Sequence, residues 1–422
     1  MREDFLHYIW MYQKFNKRSL TTVNGQVLEV VSVGDLNTNS GPDFLNSKII
    51  IGNQKWFGRV EIHLKASDWF KHKHQDDVNY NNVILHVVWE NDIIVYDVNN
   101  NKLETLVLKD LVDLNLLKNY RILIKNKTWI NCENEINTIN EFTLSFWKQK
   151  LLLNRLSRKV NELNSKLLKL DNNWESLLYQ MLAKNFGLKI NAIAFELLAN
   201  NIPFSMFRRE FSNQLSMEAL LFGQSNLLNN ASEDLYSKDL QREYMYLKQK
   251  YNLQDSFVIF HFFRLRPSNF PTVRLSQFSM LYFQHKSLFS KIISSKTISE
   301  LYTLFKVSTA VYWQNHYVLG KESVFKEKFL SNSFIDLLIL NTIIPLKYAY
   351  AKSIGVDNIE ELLDLYKAIK PEVNSITTKF KKLKLKLNSS LDTQSLIELK
   401  NQYCNKKKCL QCEIGNKLLY TD

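Results

Sequence analysis

The chain has 422 residues, 45% of them apolar and 23% charged, which excludes wholesale disorder and a collagen-like fibre and leaves room for two or three domains with real cores. Ten glycines and six prolines are few for this length, which argues against an all-β protein built on tight turns and for long helices. Lys and Arg outnumber Asp and Glu by 55 to 42, a formal charge of +13 that favours polyanionic partners.

In chain order, Phe5, Ile9 and Tyr12 recur at the helical period and predict a first helix of about three turns. The N-terminal Arg2-Glu3-Asp4 carries acids where a signal peptide needs a basic and then apolar stretch, so a cytoplasmic location is expected. From Val27 to Asp97 the texture is that of strands: LEVVSVG, SKIIIG, KWFGRVEIHLK and NVILHVVW are β-branched or aromatic and are divided by Gly, Asn and Asp. Helix followed by strands predicts an α/β or α+β domain over residues 1–140.

Residues 141–400 read as a large, mostly α-helical domain, with LLLNRLSRKVNELNSKLL and WESLLYQMLAKNFGLKINAIAFELLA its clearest segments. Pro203, Pro267, Pro271, Pro345 and Pro371 are expected in loops or at helix starts. No membrane span is expected, because the best apolar stretch, Phe334 to Ala351, is interrupted by Asp336, Asn341 and Lys347. KFKKLKLKL alternates basic and apolar residues and fits either a strand or a helix with lysine stems over its apolar face. Residues 401–422 form a cysteine-bearing tail expected to pack on the helical domain.

The densest chemistry lies between Gly41 and His86. Four of the eight histidines, His63, His72, His74 and His86, fall within this stretch beside Asp43, Glu61, Asp68, Asp76 and Asp77. On a strand, Glu61, His63 and Lys65 share a face while Val60, Ile62 and Leu64 face the other way. A hairpin through Gly52-Asn53 brings Asp43 beside Glu61, and two carboxylates with a backbone carbonyl suit Mg²⁺ or Mn²⁺, which lowers the pKa of a bound water. A rival reading takes His72 and His74 with His63 and His86 as a Zn²⁺ site, which requires a non-helical backbone at Lys73. A third takes the histidines as helix caps and partners for buried polar groups.

Pro42-Asp43 followed by Glu61-Ile62-His63, set between a first helix and a second, resembles the PD-(D/E)XK nuclease superfamily. That resemblance implies a nuclease-like mixed sheet with flanking helices, Asp43 and Glu61 as ligands of the catalytic metal, and phosphodiester hydrolysis. Glu3 is the match for a helical Glu that some members add. The superfamily's Lys position holds His63 here, so either Lys65 or His63 has to assist the reaction, or the fold persists in a non-catalytic nucleic-acid-binding or assembly protein. A zinc-dependent hydrolase using His63, His72, His74 and His86 is the further alternative. GPDF, VEIHLKASDW, HKHQ, NVILHVVW, RLRPSNFPTVRLSQ and the final YCNKKKCLQCEIGNKLL also resemble, over nearly the full length, a bacterial family known only as domain of unknown function 2851.

Within RLRPSNFPTVR, Arg264, Arg266, Asn269 and Arg274 around two prolines are candidate phosphate contacts for nucleic acid; the alternative is arginines fixing a buried loop. Cys404, Cys409 and Cys412 can wrap one metal, and Cys132 is the only cysteine left to complete it. Tetrahedral Zn²⁺, with sulfurs roughly 3.5–4 Å apart, is the plainer expectation; a 4Fe-4S cluster is the alternative, on the analogy of nucleases whose cluster clips chain ends together.

Overall fold

A nine-residue helix, α1 (Glu3–Met11), opens the computed structural model, which describes residues 1–97, 100–125, 128–229 and 234–420. Its apolar face buries Phe5, Leu6, Ile9 and Trp10, whereas Tyr12, expected on that face, lies past the last turn and is half exposed. Strands β1 (Leu28–Ser32), β2 (Asp35–Leu36), β3 (Phe44–Ile51) and β4 (Gln54–Lys65) follow, then the single turn α2 (Asp68–Lys71), β5 (Val83–Glu90), β6 (Thr105–Val107) and α3 (Leu114–Lys125).

The six strands form one mixed sheet in the order β1-β3-β4-β5-β6, with β2 also on β3. β1, β3 and β4 are antiparallel neighbours; β5 and β6 run parallel to β4. The β3–β4 hairpin turns at Gly52-Asn53, where Gly52 has φ +60°, a left-handed conformation that costs glycine nothing. Gly58 is required for a different reason: a Cβ there would stand 2.7 Å from the Asn82 carbonyl oxygen where β4 receives the chain entering β5. β4 is central, and Val60, Glu61, Ile62 and His63 are all buried on it, so one face carries charge into the interior. α1 lies against β4.

The chain divides into two compact units. The first takes residues 1–147, 382–385 and 398–422; the second takes 148–381 and 386–397. The cysteine-bearing tail therefore belongs with the sheet, not with the helices as expected. Its helix Glu413–Leu419 packs on α3, the Asn119 side-chain amide donates to the Leu419 carbonyl, and the Tyr8 and Tyr420 hydroxyls meet at 3.1 Å. Long-range packing made that choice, and no local signal in the tail carries it.

The second unit is helical. Its framework includes α4 (Glu141–Leu168), from Lys148 on, with α5 (Trp174–Phe186) and α6 (Ala192–Asn201), around a core in which Tyr179, Phe207, Phe278 and Tyr282 interlock. KFKKLKLKL is half helix, ending the helix Ser375–Lys382 with Phe380 fully buried, and half loop. Pro345 does not mark a loop: it sits inside a continuous helical run Asn332–Ser353, just after a π-helical turn at Ile339–Ile343 that absorbs the missing N–H. Against expectation, that run is long and apolar enough to cross a membrane by length and composition, but 78% of its most apolar window is buried inside the unit. Lys347 within it donates to the Ile293 and Ser295 carbonyls at 3.0 and 2.5 Å and pairs with Glu361 at 2.9 Å.

Candidate metal centre

The site is built on the sheet at the start of β3 and the middle of β4. Phe44 pairs with Val60, which sets Asp43 opposite Glu61, and the two acids are laced together through the backbone. The Asp43 N–H donates to Glu61 Oε2 at 3.1 Å and the Ile62 N–H donates to Asp43 Oδ2 at 3.0 Å. Glu61 in turn pairs with His86 in the parallel β4–β5 register, so Glu61, His63 and His86 share one face.

Two further imidazoles reach this face because of a single residue. His72 ends α2, Lys73 takes φ +61° in the left-handed region, and His74 begins a turn of 3-10 helix. A helical Lys73 would splay the two histidines; its left-handed turn makes them converge. Among the described residues, the ligand nitrogens of His63, His72 and His74 lie within 4.8 Å of one another. His63 Nε2 is 3.2 Å from His72 Nδ1, and Glu61 Oε1 is 3.4 Å from His63 Nε2 and 3.3 Å from His74 Nε2. The His74 nitrogen is buried yet makes no hydrogen bond, because its approach to Glu61 is out of line. Its ring is held by stacking on Tyr80 at 3.8 Å. His63 Nδ1 meets His86 Nε2 at 2.8 Å, the arrangement by which an outer imidazole fixes the tautomer of a ligating one.

The electrostatics describe a site short of positive charge. Burial, with the Asp43 charge second, pushes the Glu61 carboxyl up to about 9, against the Asp43 N–H that favours the carboxylate. Burial, reinforced by the neighbouring imidazoles, pushes His63 down to about 2, and burial pushes His86 to about 3 and lowers His74. Burial raises Glu3, with Asp43 adding to it. Neutral imidazole nitrogens and a carboxyl lacking its counter-charge are the donor set a divalent transition ion satisfies. The residues fit such an ion.

His7 was not singled out in the sequence, although it lies one helical turn from Glu3 on α1, on the same face. Its Nε2 stands 3.2 Å from Asp43 Oδ2. Burial opposes its protonation, but the close Asp43 carboxylate outweighs that and holds its pKa above the ordinary value. Lys65, by contrast, sits at the exposed end of β4, where its charge acts on Asp92.

The other candidates fall elsewhere. In the helical unit, Arg274 is buried, donates to Gln277 Oε1 at 2.9 Å and Asn269 Oδ1 at 2.6 Å, and stacks 3.6 Å from the Phe334 ring centroid, with burial lowering its pKa to about 10. Arg274 and Asn269 thus hold a loop to the core, while Arg264 and Arg266 are exposed. In the first unit, Cys132, Cys404, Cys409 and Cys412 line one small cavity. Burial raises all four thiols, Cys404 to about 12 and Cys412 to about 11. Between Cys404 and Cys409, the exposed Lys406, Lys407 and Lys408 line a second cavity with Arg2, His7 and Tyr12.

The chain belongs to the family described as protein of unknown function (DUF2851), whose model matches residues 3–375. No curated protein and no solved structure matches it.

Proposed function

We propose that this member of the DUF2851 family hydrolyses phosphodiesters with a bound divalent cation, and that nucleic acid is its substrate. The observation that carries the reading is Glu61 Oε1 standing within 3.4 Å of two imidazole nitrogens, His63 Nε2 and His74 Nε2, with Asp43 on the adjoining strand. Glu61, His63, His72 and His74 would hold the cation, which supplies an acidified water and stabilises phosphate charge. Imidazoles favour Zn²⁺ or Mn²⁺ over the Mg²⁺ expected from two carboxylates alone. His7, paired to Asp43 and a quarter exposed, is the candidate acid for the leaving oxygen.

Two features support the substrate class. The mixed sheet, in which antiparallel β3 and β4 bring Asp43 beside Glu61 and β5 runs parallel to β4, supports reading the two acids as a nuclease-like pair. The lysine loop and Arg2 line a cavity that His7 also borders, which provides positive charge for a phosphate backbone. Zinc-dependent hydrolysis of another substrate is the second reading, favoured by the same three imidazoles. A non-catalytic nucleic-acid-binding or assembly role is a third, favoured by Lys65 standing at the strand end instead of the centre.

The test strips the full chain of metal, reloads it with Mg²⁺, Mn²⁺ or Zn²⁺, and assays single- and double-stranded DNA and RNA beside a generic ester. Cleavage of a nucleic acid that Glu61→Gln and His74→Asn abolish, with circular dichroism unchanged, is expected. Ester hydrolysis alone would select the second reading, and nucleic-acid binding without cleavage the third.

A further inference from the structure

From the cysteine cavity we infer a second metal centre: Cys132, Cys404, Cys409 and Cys412 hold a four-iron, four-sulfide cluster that staples the C-terminal segment to the sheet-bearing unit. This inference does not depend on the hydrolase reading. Four sulfurs from two stretches of sequence line one cavity whose remaining wall includes the apolar Leu123, Leu399 and Ile414. A thiol can pack against such a wall as a small apolar group, but four of them meeting there from positions 132 and 404–412 is what a shared ligand brings about.

Spacing selects the cluster over a single ion. Four thiolates each about 2.3 Å from a tetrahedral zinc stand about 3.8 Å apart. Among the described residues, no three of these sulfurs lie within 4.8 Å of one another, so the spacing expected for one zinc is not met. A cubane binds each thiolate through a different iron, which spreads the four sulfurs around a larger body. The four thiols lose their protons as the iron–sulfur bonds form, and no change in oxidation state is required of the protein.

The surroundings are those of a cluster site. The backbone N–H groups of Ile414 and Gly415 are directed to Cys412, and the Asn131 side chain to Cys409, supplying the N–H···S contacts that stabilise cluster sulfur. Gly415 cannot be another residue without moving this frame, because a Cβ there would stand 2.1 Å from the Cys409 carbonyl oxygen. Beside the cavity, Lys400 donates to the Trp129 carbonyl at 2.6 Å with its ammonium over the Trp129 ring, so the cysteine-132 turn and the C-terminal segment are already tied.

The experiment is anaerobic purification of the full chain, with iron, zinc and acid-labile sulfide measured per chain alongside visible absorbance. The expected result is brown protein with about four irons and four sulfides per chain, and loss of both in Cys132→Ser. Colourless protein with one zinc per chain, iron without sulfide, or no metal at all would overturn the cluster. Should Cys132→Ser fail to fold, Cys409→Ser provides the second variant, its serine oxygen giving a weaker ligand whose cluster bleaches faster in air; an unchanged bleaching rate overturns the assignment of Cys409. Cleavage assays play no part, so a failed hydrolase reading leaves this result standing.

Discussion

Both units bury charged groups, and they differ in whether those groups are paired off separately or brought together. In the helical unit, Lys347 finds carbonyls and Glu361, Arg274 finds Gln277, Asn269 and the face of Phe334, and Glu218 takes the Tyr236 hydroxyl. Each charge has a partner of its own that fixes packing, and the atoms left over, Arg274 Nε and Glu218 Oε1, stand apart from one another in separate contacts of the core. On the sheet, His74 Nε2 is buried without a hydrogen bond, His63 Nε2 stands near Glu61 and His72, and Glu61 is pushed towards its neutral form. Burial alone therefore does not mark a functional group; what marks it is a set of buried atoms that share one space and leave their polarity unspent.

That contrast can be broken most forcefully at His7. If it is the acid, His7→Gln should lower kcat by about 10²–10⁴-fold with the melting temperature nearly unchanged, whereas a purely structural His7 would lower stability and spare kcat. The counterpart in the helical unit is Lys347→Ala, which leaves a set of carbonyls and Glu361 without their cation. It should cost about 3–5 kcal/mol in chemical denaturation and leave metal content on the sheet unaltered. A smaller effect is expected at His86→Asn, which removes the partner of His63 Nδ1 but no proposed ligand. Metal affinity measured by competition should fall about 10–100-fold, and an unaltered affinity would place His86 with the merely packed residues.

The mildest prediction concerns pH in chelator-treated protein. His63 and His86 are held below the ordinary value of 6.5, so the unfolded chain takes up protons first and their contribution to stability is lost as pH falls through about 6.5. Glu61 is raised from 4.5 to about 9, so its contribution is lost in the other direction, as pH rises between those values. Below 6.5 the two histidines outweigh the one carboxyl, so metal-free protein should melt highest near their ordinary value of 6.5, and added Zn²⁺ should remove the alkaline loss, as scanning calorimetry from pH 5 to pH 9 would record. In the helical unit, Glu196 is held low by Lys166 and Lys184 despite the opposing effect of burial, so its contribution survives to about pH 4.5 and declines only below it.

The sheet and its acids were readable because strands and hairpins write their register locally: a period of two placed Glu61 with His63, and Gly52-Asn53 turned Asp43 towards Glu61. Convergence of His72 and His74 was not readable, since it hangs on the left-handed Lys73, a residue with no special preference for that region. His7 carried a faint signal, four residues from Glu3, that only the packing of α1 on β4 gives meaning. Arg274 shows the reverse failure: beside Arg264 and Arg266 it looks like part of a phosphate clamp until its own guanidinium is found on Asn269, Gln277 and Phe334. The cysteines could be counted from sequence, but not their spacing about one cavity.

The hydroxyl contact between Tyr8 and Tyr420 has a consequence for synthesis on the ribosome. The first unit needs residues 398–422, yet about 250 residues of mostly helical chain are translated after residue 147 before those emerge. At roughly 5–20 residues per second, the nascent sheet waits on the order of 12–50 s with its C-terminal helix absent and Cys132 without its three companions. During that interval α3 lacks the Glu413–Leu419 helix that packs on it, and the apolar face it would bury stays open to water. The nascent chain is therefore most exposed to proteases and chaperones at its beginning, and truncation of the last 25 residues should trap it in that state.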